Sequence, residues 1–156
     1  MAIELSSAGV TVQWAAETVA GERPTSGYSK IDGIKSTPDI NPETDSLEVT
    51  DLSDTEWKRY IGGLKDVGGD LAFGANNSEQ FQEDWQSLCE TYQTNAESGL
   101  GMWFAIVIPG LTKAFYISGV PQPLGLSAIE VSSVLEIDAY ISPRKIAGWM
   151  TKPTAI

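Results

Sequence analysis

A chain of 156 residues, 42% hydrophobic and 20% charged, has enough apolar material for one folded domain and is not disordered in bulk. Its 21 acidic residues against 10 basic ones give a formal net charge of −11. Such a surface repels phosphate and anionic lipid, which argues against tight nucleic-acid binding. With no histidine and only one cysteine, Cys89, the chain has no Ser-His-Asp or Cys-His machinery, no histidine metal site and no intrachain disulfide.

The N-terminus lacks a basic region followed by an apolar run, so no signal peptide is expected. The longest apolar run, Met102 to Ile108, falls far short of the roughly 20 residues that span a bilayer. The expectation is a single domain over 1–156, made in a cytoplasm, with flexible ends at 1–8 and 144–156.

Taken in chain order, Val10 and Val12 alternate with Thr11 and Gln13 ahead of Trp14, which predicts a first strand. Residues 20–30 are rich in Gly, Pro, Ser and Thr and predict a loop. Ile31 to Thr37 predicts a short strand. The stretch 38–62 predicts a long loop. Asp39, Glu43, Asp45, Glu48, Asp51, Asp54 and Glu56 all precede its first base, Lys58. Within it Leu47 and Val49 alternate with polar residues, and Trp57, Tyr60 and Ile61 close it. Two readings fit: a solvated loop around one strand, or an arm that orders against a neighbouring subunit.

Val67, Leu71 and Phe73 predict the next strand, after a turn or bulge marked by paired glycines. A helix is predicted over about 78–95. Asn77 or Ser78 caps it, and Phe81, Trp85, Leu88 and Tyr92 form one packing stripe joined by Cys89. Met102 to Ile108 reads as a central strand, and Lys113 to Val120 returns after a Pro109-Gly110 turn. Leu126 to Ser142 reads as one long strand. Ile129, Val131, Leu135, Ile137, Ala139 and Ile141 form its core face, and Glu130, Glu136 and Asp138 lie on the opposite face. After Pro143 no periodicity stands out. The sum is mainly β: a β-sandwich or open barrel of about seven strands with one flanking helix.

Chemistry is sparse. Glu136 and Asp138, two apart on one face, are the only carboxylate pair worth weighing for acid–base work, and a solvated face explains them better. Asp39, Asn41, Glu43 and Asp45 alternate oxygen ligands but lack the glycine and terminal glutamate of an EF-hand loop, so no metal site is assigned. Cys89 is expected as a small core residue, since no base stands ready to activate it. No cofactor is expected. Trp85 and Trp103 are absorbed by the helix stripe and the apolar strand. Trp14, Trp57 and Trp149 are not, and exposed aromatics mark interfaces.

Three stretches carry a resemblance: GIKSTPDINPETDSLEVTDLSDTEWKRYIGGLKDVGGDLAF at 33–73, GANNSEQFQEDW at 74–85, and WFAIVIPGLTKAFYISGVPQPLGLSAIEVSSVLEIDAYISP at 103–143. In that order they resemble the major tail tube proteins of long, flexible-tailed bacteriophages. The resemblance implies a β-sandwich with one helix, six subunits to a ring, and rings stacked into a tube. Each subunit would add a sheet to a β-barrel lining the channel, and the long loop would reach a neighbour. Implied partners are further copies of the chain, a tape-measure protein, tail terminator and tail-tip proteins, and double-stranded DNA in transit without tight binding. The implied location is the virion tail, with no membrane partner.

On that footing Glu130, Glu136 and Asp138 are expected to face the channel, with Glu48 and Asp70 as weaker candidates. Asp39, Leu47, Val49, Trp57 and Tyr60 are expected on the inter-subunit arm. The competing reading is a non-catalytic carbohydrate- or host-binding β-sandwich module. A hydrolase built on Glu136 and Asp138 is a weaker one.

Overall fold

The computed structural model describes residues 8–153 apart from Pro42, Val67 and Gly68. Nine strands and one helix follow in the order β1 (Thr11–Ala16), β2 (Ser29–Ile31), β3 (Ile34–Ser36), β4 (Glu43–Glu48), β5 (Tyr60–Asp66), β6 (Leu71–Asn76), α1 (Glu79–Ala96), β7 (Met102–Val107), β8 (Lys113–Pro121) and β9 (Glu136–Thr151). Seven strands make one sheet in the order β2-β1-β7-β8-β9-β6-β3, and β4 and β5 pair separately. The mainly β expectation holds: the large sheet is a nearly closed barrel carrying one helix.

Closure comes from a corner. The predicted strand at Ile31–Thr37 is split at Asp32–Gly33 into β2, which pairs with β1, and β3, which pairs with β6. Two residues therefore join the opposite edges of the sheet. Gly33 takes a φ of 92°, where a side chain is strained, and its carbonyl accepts from Asn76 N at 3.0 Å.

The barrel interior is filled by inward residues of the strands and by the helix stripe. Ser78 caps α1 by accepting from Phe81 N at 3.2 Å. Phe81, Trp85 and Leu88 are buried among Val12, Ile31, Phe73, Phe104, Ile117 and Ile141, with Tyr92 and Cys89 packed at the margin. Each fully buried side chain of this kind contributes roughly 1.5–3 kcal/mol. Trp85 also donates its Nε1–H to Gln122 O at 2.7 Å, which satisfies its one polar atom. The helix ends as expected before Gly99, whose φ of 76° turns the chain so that Leu100 N reaches Asn95 O at 3.0 Å.

The continuous apolar run of β7 is explained by burial on both faces. Met102, Phe104 and Ile106 point into the barrel. Trp103 and Ala105 point outward, under a second cluster with Ala114, Tyr116 and Tyr28. The 17–28 segment covers that face. Glu17 is buried there, and its carboxylate accepts from Trp103 Nε1 at 3.0 Å and from Gly101 N. Arg23 lies 4.3 Å over the Tyr116 ring.

Three expectations are corrected. The strand foreseen over Leu126–Ser142 begins only at Glu136. Ile137, Ala139 and Ile141 are buried as foreseen, but Ile129, Val131 and Leu135 are exposed in a loop with a turn at Val131–Ser132. The alternating pattern runs on in phase, yet β6 pairing stops at Asn76–Glu136 and β8 pairing at Pro121–Ile141. No strand lies beside the earlier residues to supply a ladder. The stretch after Pro143 is not irregular: β9 continues to Thr151 along β8, absorbing the proline at a register shift. The long loop at 38–62 contributes two strands rather than one, a hairpin discussed below. Val67, expected in a strand, lies outside the described residues.

Gly119 marks the close approach at that register shift. A Cβ there would meet Ile141 Cγ2 and Ser142 O, each at 2.7 Å. Gly119→Ala is expected to destabilise the protein by about 1–3 kcal/mol in denaturant titration, because the barrel wall must spread to admit it.

Candidate functional site

Two surfaces collect the residues singled out by the sequence. The first is the outward face of β3, β6 and β9. Glu136, Asp138 and Tyr140 alternate outward on β9 opposite Asn76, Gly74 and Ala72 of β6. Gly74 has no room for a side chain, since a Cβ there would run into Ser36 Oγ. Lys35 on β3 forms an ion pair with Glu136. This cation, far away in sequence, was not foreseen. It tempers the negative charge of that end of the face, while Asp138 keeps its own.

Glu130 lies in the preceding loop and shares a shallow depression with Glu136 and Asp138. Asp70 sits just ahead of β6 and accepts from Ser142 Oγ at 2.8 Å. Glu48 belongs to the separate hairpin, opposite Tyr60. The five acids therefore do not form one group: three cluster, and two stand apart.

The second surface is the β4–β5 hairpin. Leu47 pairs with Ile61, and Leu47, Trp57, Tyr60, Ile61 and Leu64 are all exposed. Val49 is half-buried, its N–H donating to Arg59 O at 2.9 Å. Asp39 is exposed ahead of the hairpin. An exposed two-stranded ribbon is marginal by itself, yet its tip is tightly organised. Arg59 Nε donates to Asp54 Oδ2 at 2.8 Å, and Arg59 Nη2 donates to Asp51 Oδ2 at 3.3 Å. Ser53 N donates to Asp51 Oδ1 at 2.8 Å, and Asp51 N donates to Asp54 Oδ2 at 2.9 Å. Arg59 N donates to Thr50 Oγ1 at 2.8 Å. Sequence reading saw only the acids; the signal available was Asx-turn chemistry in Asp51-Leu52-Ser53-Asp54.

These bonds hold both carboxyls below their ordinary range: Asp51 through the Ser53 hydroxyl and amide, Asp54 through the Asp51 amide and then Arg59. A depressed carboxylate stabilises the folded tip above the ordinary value, and that contribution is lost as pH falls through the lowered one. Protection of the Ser53 and Asp54 amides from exchange is therefore expected to persist at neutral pH and to fade below about pH 4. Arg59→Ala should speed that exchange at neutral pH.

Chemistry is limited elsewhere. Cys89 is half-buried, its Sγ is 3.8 Å from Gln122 O, and burial pushes its thiol up to about 11. A thiol so protonated is a poor nucleophile at neutral pH. Among the described residues no group of three or more Cys, Asp or Glu side chains is placed to hold a metal ion. The oxygen-ligand pattern at 39–45 falls partly outside the described residues. Among the described residues no helix is long and apolar enough to cross a membrane.

No protein-family model matches the chain, and no curated protein sequence does. Its fold does match solved structures. A chain of the anti-feeding prophage baseplate, from a sixfold-symmetrised reconstruction, superposes with a TM-score of 0.63 at 8% identity, covering 97% of this chain and 98% of that one. A chain of the anti-feeding prophage tube-terminating cap gives 0.59 at 10% identity, covering 97% and 93%. A chain of an extracellular contractile injection system, in its extended sheath-tube complex, gives 0.58 at 12% identity, covering 95% and 92%. At such identities the likeness establishes a shared fold, nearly end to end in each chain.

Proposed function

We propose that this chain is a structural subunit of a phage-type tail, and specifically a major tail tube protein that forms hexameric rings stacking into a hollow tube. The observation that carries this reading is the fold likeness over 97% of the chain to a component of a sixfold-symmetrised baseplate. Two features support it. A two-residue corner links the edges of the main sheet, while the separate hairpin keeps exposed apolar residues and open edges suited to another copy. The outward face of β6 and β9 sets Asp138 and Glu136 of β9 opposite Gly74 and Asn76 of β6.

In this reading that face lines the channel. Duplex DNA carries about one negative charge per 1.7 Å of axis. An acidic wall repels it and keeps it mobile, and screening limits the effect to about 8–10 Å. On this reading Glu136, Asp138 and Glu130 act, with Lys35 moderating the first. Glu48 and Asp70 are more distant candidates. The arm residues Asp39, Leu47, Val49, Trp57 and Tyr60 meet a neighbouring subunit. A tape-measure protein fills the tube before DNA, and terminator and tip proteins close its ends. The subunit is made in the host bacterial cytoplasm and functions in the virion without catalysis.

Electron microscopy of the purified protein tests the core of this reading. Rings or stacked tubes are expected. A monomer at all concentrations, especially one that binds glycans through exposed Trp57 or Trp149, would favour the host-binding module instead. In tail-forming particles, replacing Glu136 and Asp138 together by lysine is expected to leave tubes intact and slow DNA release. Unchanged release kinetics would remove the channel assignment.

A further inference from the structure

β9 changes partner part-way along. It pairs with β6 from Glu136 to Ile141 and with β8 from Ile141 to Thr151. Asn77 N donates to Leu135 O at 2.9 Å, and Gln122 N donates to Tyr140 O at 2.9 Å. Successive residues of a strand aim their N–H and C=O groups to opposite sides. The odd-numbered residues of the first part therefore bond toward β6, and Glu136 and Asp138 aim their backbone groups toward the side of β8. Among the described residues no strand meets Glu136 and Asp138 on that side, and none meets β9 beyond Ser142 on the side of β6. β9 thus has two open edges, on opposite sides of one strand. Unpaired ladders of this kind are templates for another chain.

The segment ahead of β9 has the complementary lack: the sequence of a strand and no ladder. Ile129, Val131 and Leu135 continue the alternation of Ile137, Ala139 and Ile141 in phase, and Ile129, Val131 and Val134 are β-branched, as strands favour. Leu126, Ile129, Val131, Val134 and Leu135 are all exposed. The extended path breaks at the turn of Val131–Ser132. Ser132 has a φ of 62° and is the one non-glycine residue at positive φ among the described residues. Left-handed backbone is unfavourable for serine, and a strand would relieve it. A depression of about 530 Å³ between this segment and Glu136–Asp138 leaves room beside the open edge.

Resting on the reading of the chain as a self-assembling subunit, we propose that residues 126–135 are a latent strand that refolds on assembly. They straighten, extend β9 backward from Glu136, and pair along the open edge of β9 beyond Ser142 in a second copy. Main-chain hydrogen bonds supply the contact, beginning with the unpaired groups of Glu136 and Asp138. The donor 126–135 and the acceptor 142–151 are segments of equal length, so a full ladder forms between them. Pairing also covers the exposed apolar residues of the segment, and the acceptor presents exposed Trp149 and Met150. The other open edge on offer is the same segment of the second copy. That pairing would set Glu130, Glu136 and Asp138 of two copies side by side, where like charges destabilise a ladder. The acceptor beyond Ser142 carries Arg144 and Lys145 and no acid. Because the two open edges lie on opposite sides of β9, the contact is heterologous and leaves an edge free for the next copy.

Amide exchange of the wild-type chain tests the refolding directly. The amides of 127–135 are expected to exchange freely in the monomer and to slow at least about tenfold in the assembled fraction. Ser132 gives a second readout, since two exposed substitutions should act in opposite directions. Ser132→Gly eases the turn and is expected to raise the concentration needed for assembly roughly fivefold, whereas Ser132→Val favours the strand and should lower it. The acceptor is located by mixing Val131→Cys with single cysteine variants at Arg144, Lys145, Trp149, Met150 and Thr151 in turn, under mild oxidation near neutral pH. The thiol of Cys89, pushed up to about 11, competes poorly there. A disulfide joining one of each is expected for at least one pairing, in the assembled fraction and not in the monomer. If the wild-type chain assembles while 127–135 exchange freely, or none of the five pairings joins, or the two Ser132 variants shift assembly alike, the latent strand is overturned and the tail role stands. If the wild-type chain stays monomeric at every concentration, both are overturned.

Discussion

Asp32 and Gly33 carry the chain from one edge of the seven-stranded sheet to the other. Three Cα steps separate Ile31 on β2 from Ile34 on β3, a reach of at most about 11 Å. A sheet whose first and last strands are so tethered must curl on itself. The bond from Asn76 N to Gly33 O fastens the corner to β6, and Gly33 supplies the backbone angle it needs. Curling creates an interior, and an interior must be filled to near-crystalline density. The aromatic stripe of α1 fills it: Phe81, Trp85 and Leu88 meet residues from strands on both sides of the corner.

Closure also determines what is left over. The Asp32–Gly33 corner joins the two edges of the main sheet, and several surfaces remain exposed. One is the β4–β5 hairpin, a ribbon with exposed apolar side chains and a tip braced by Arg59. Another is the far end of β8 and β9, where Lys113 and Trp149 line a groove. The outward face of β6 and β9 is a third, with Tyr140 exposed opposite Ala72 and Asp138 opposite Gly74.

Local pattern made much of this visible. The stripe Phe81, Trp85, Leu88 and Tyr92 located the helix within a residue or two, because burial on one helical face repeats at 3.6 residues. The run from Met102 identified a strand covered on both faces, and Pro109-Gly110 its hairpin with β8. Absence of histidine and the acid excess are properties of composition and need no fold. Other features depended on partners that no local window contains. Ile129, Val131 and Leu135 continue the alternation of β9 but lie beyond the reach of β6 and β8, so the same pattern is strand on one side of Glu136 and loop on the other. Ile31 to Thr37 reads as one strand until tertiary structure bends it at Asp32–Gly33 to serve two neighbours. Lys35 and Glu136 are 101 residues apart in sequence, and their ion pair exists only because β3 closes the barrel beside β6 and β9. The sequence by itself determined which segments are able to form helix or strand and which residues are able to be buried. Pairing, closure and the charge of each face were decided by the tertiary structure, since each depends on groups brought together across the whole chain.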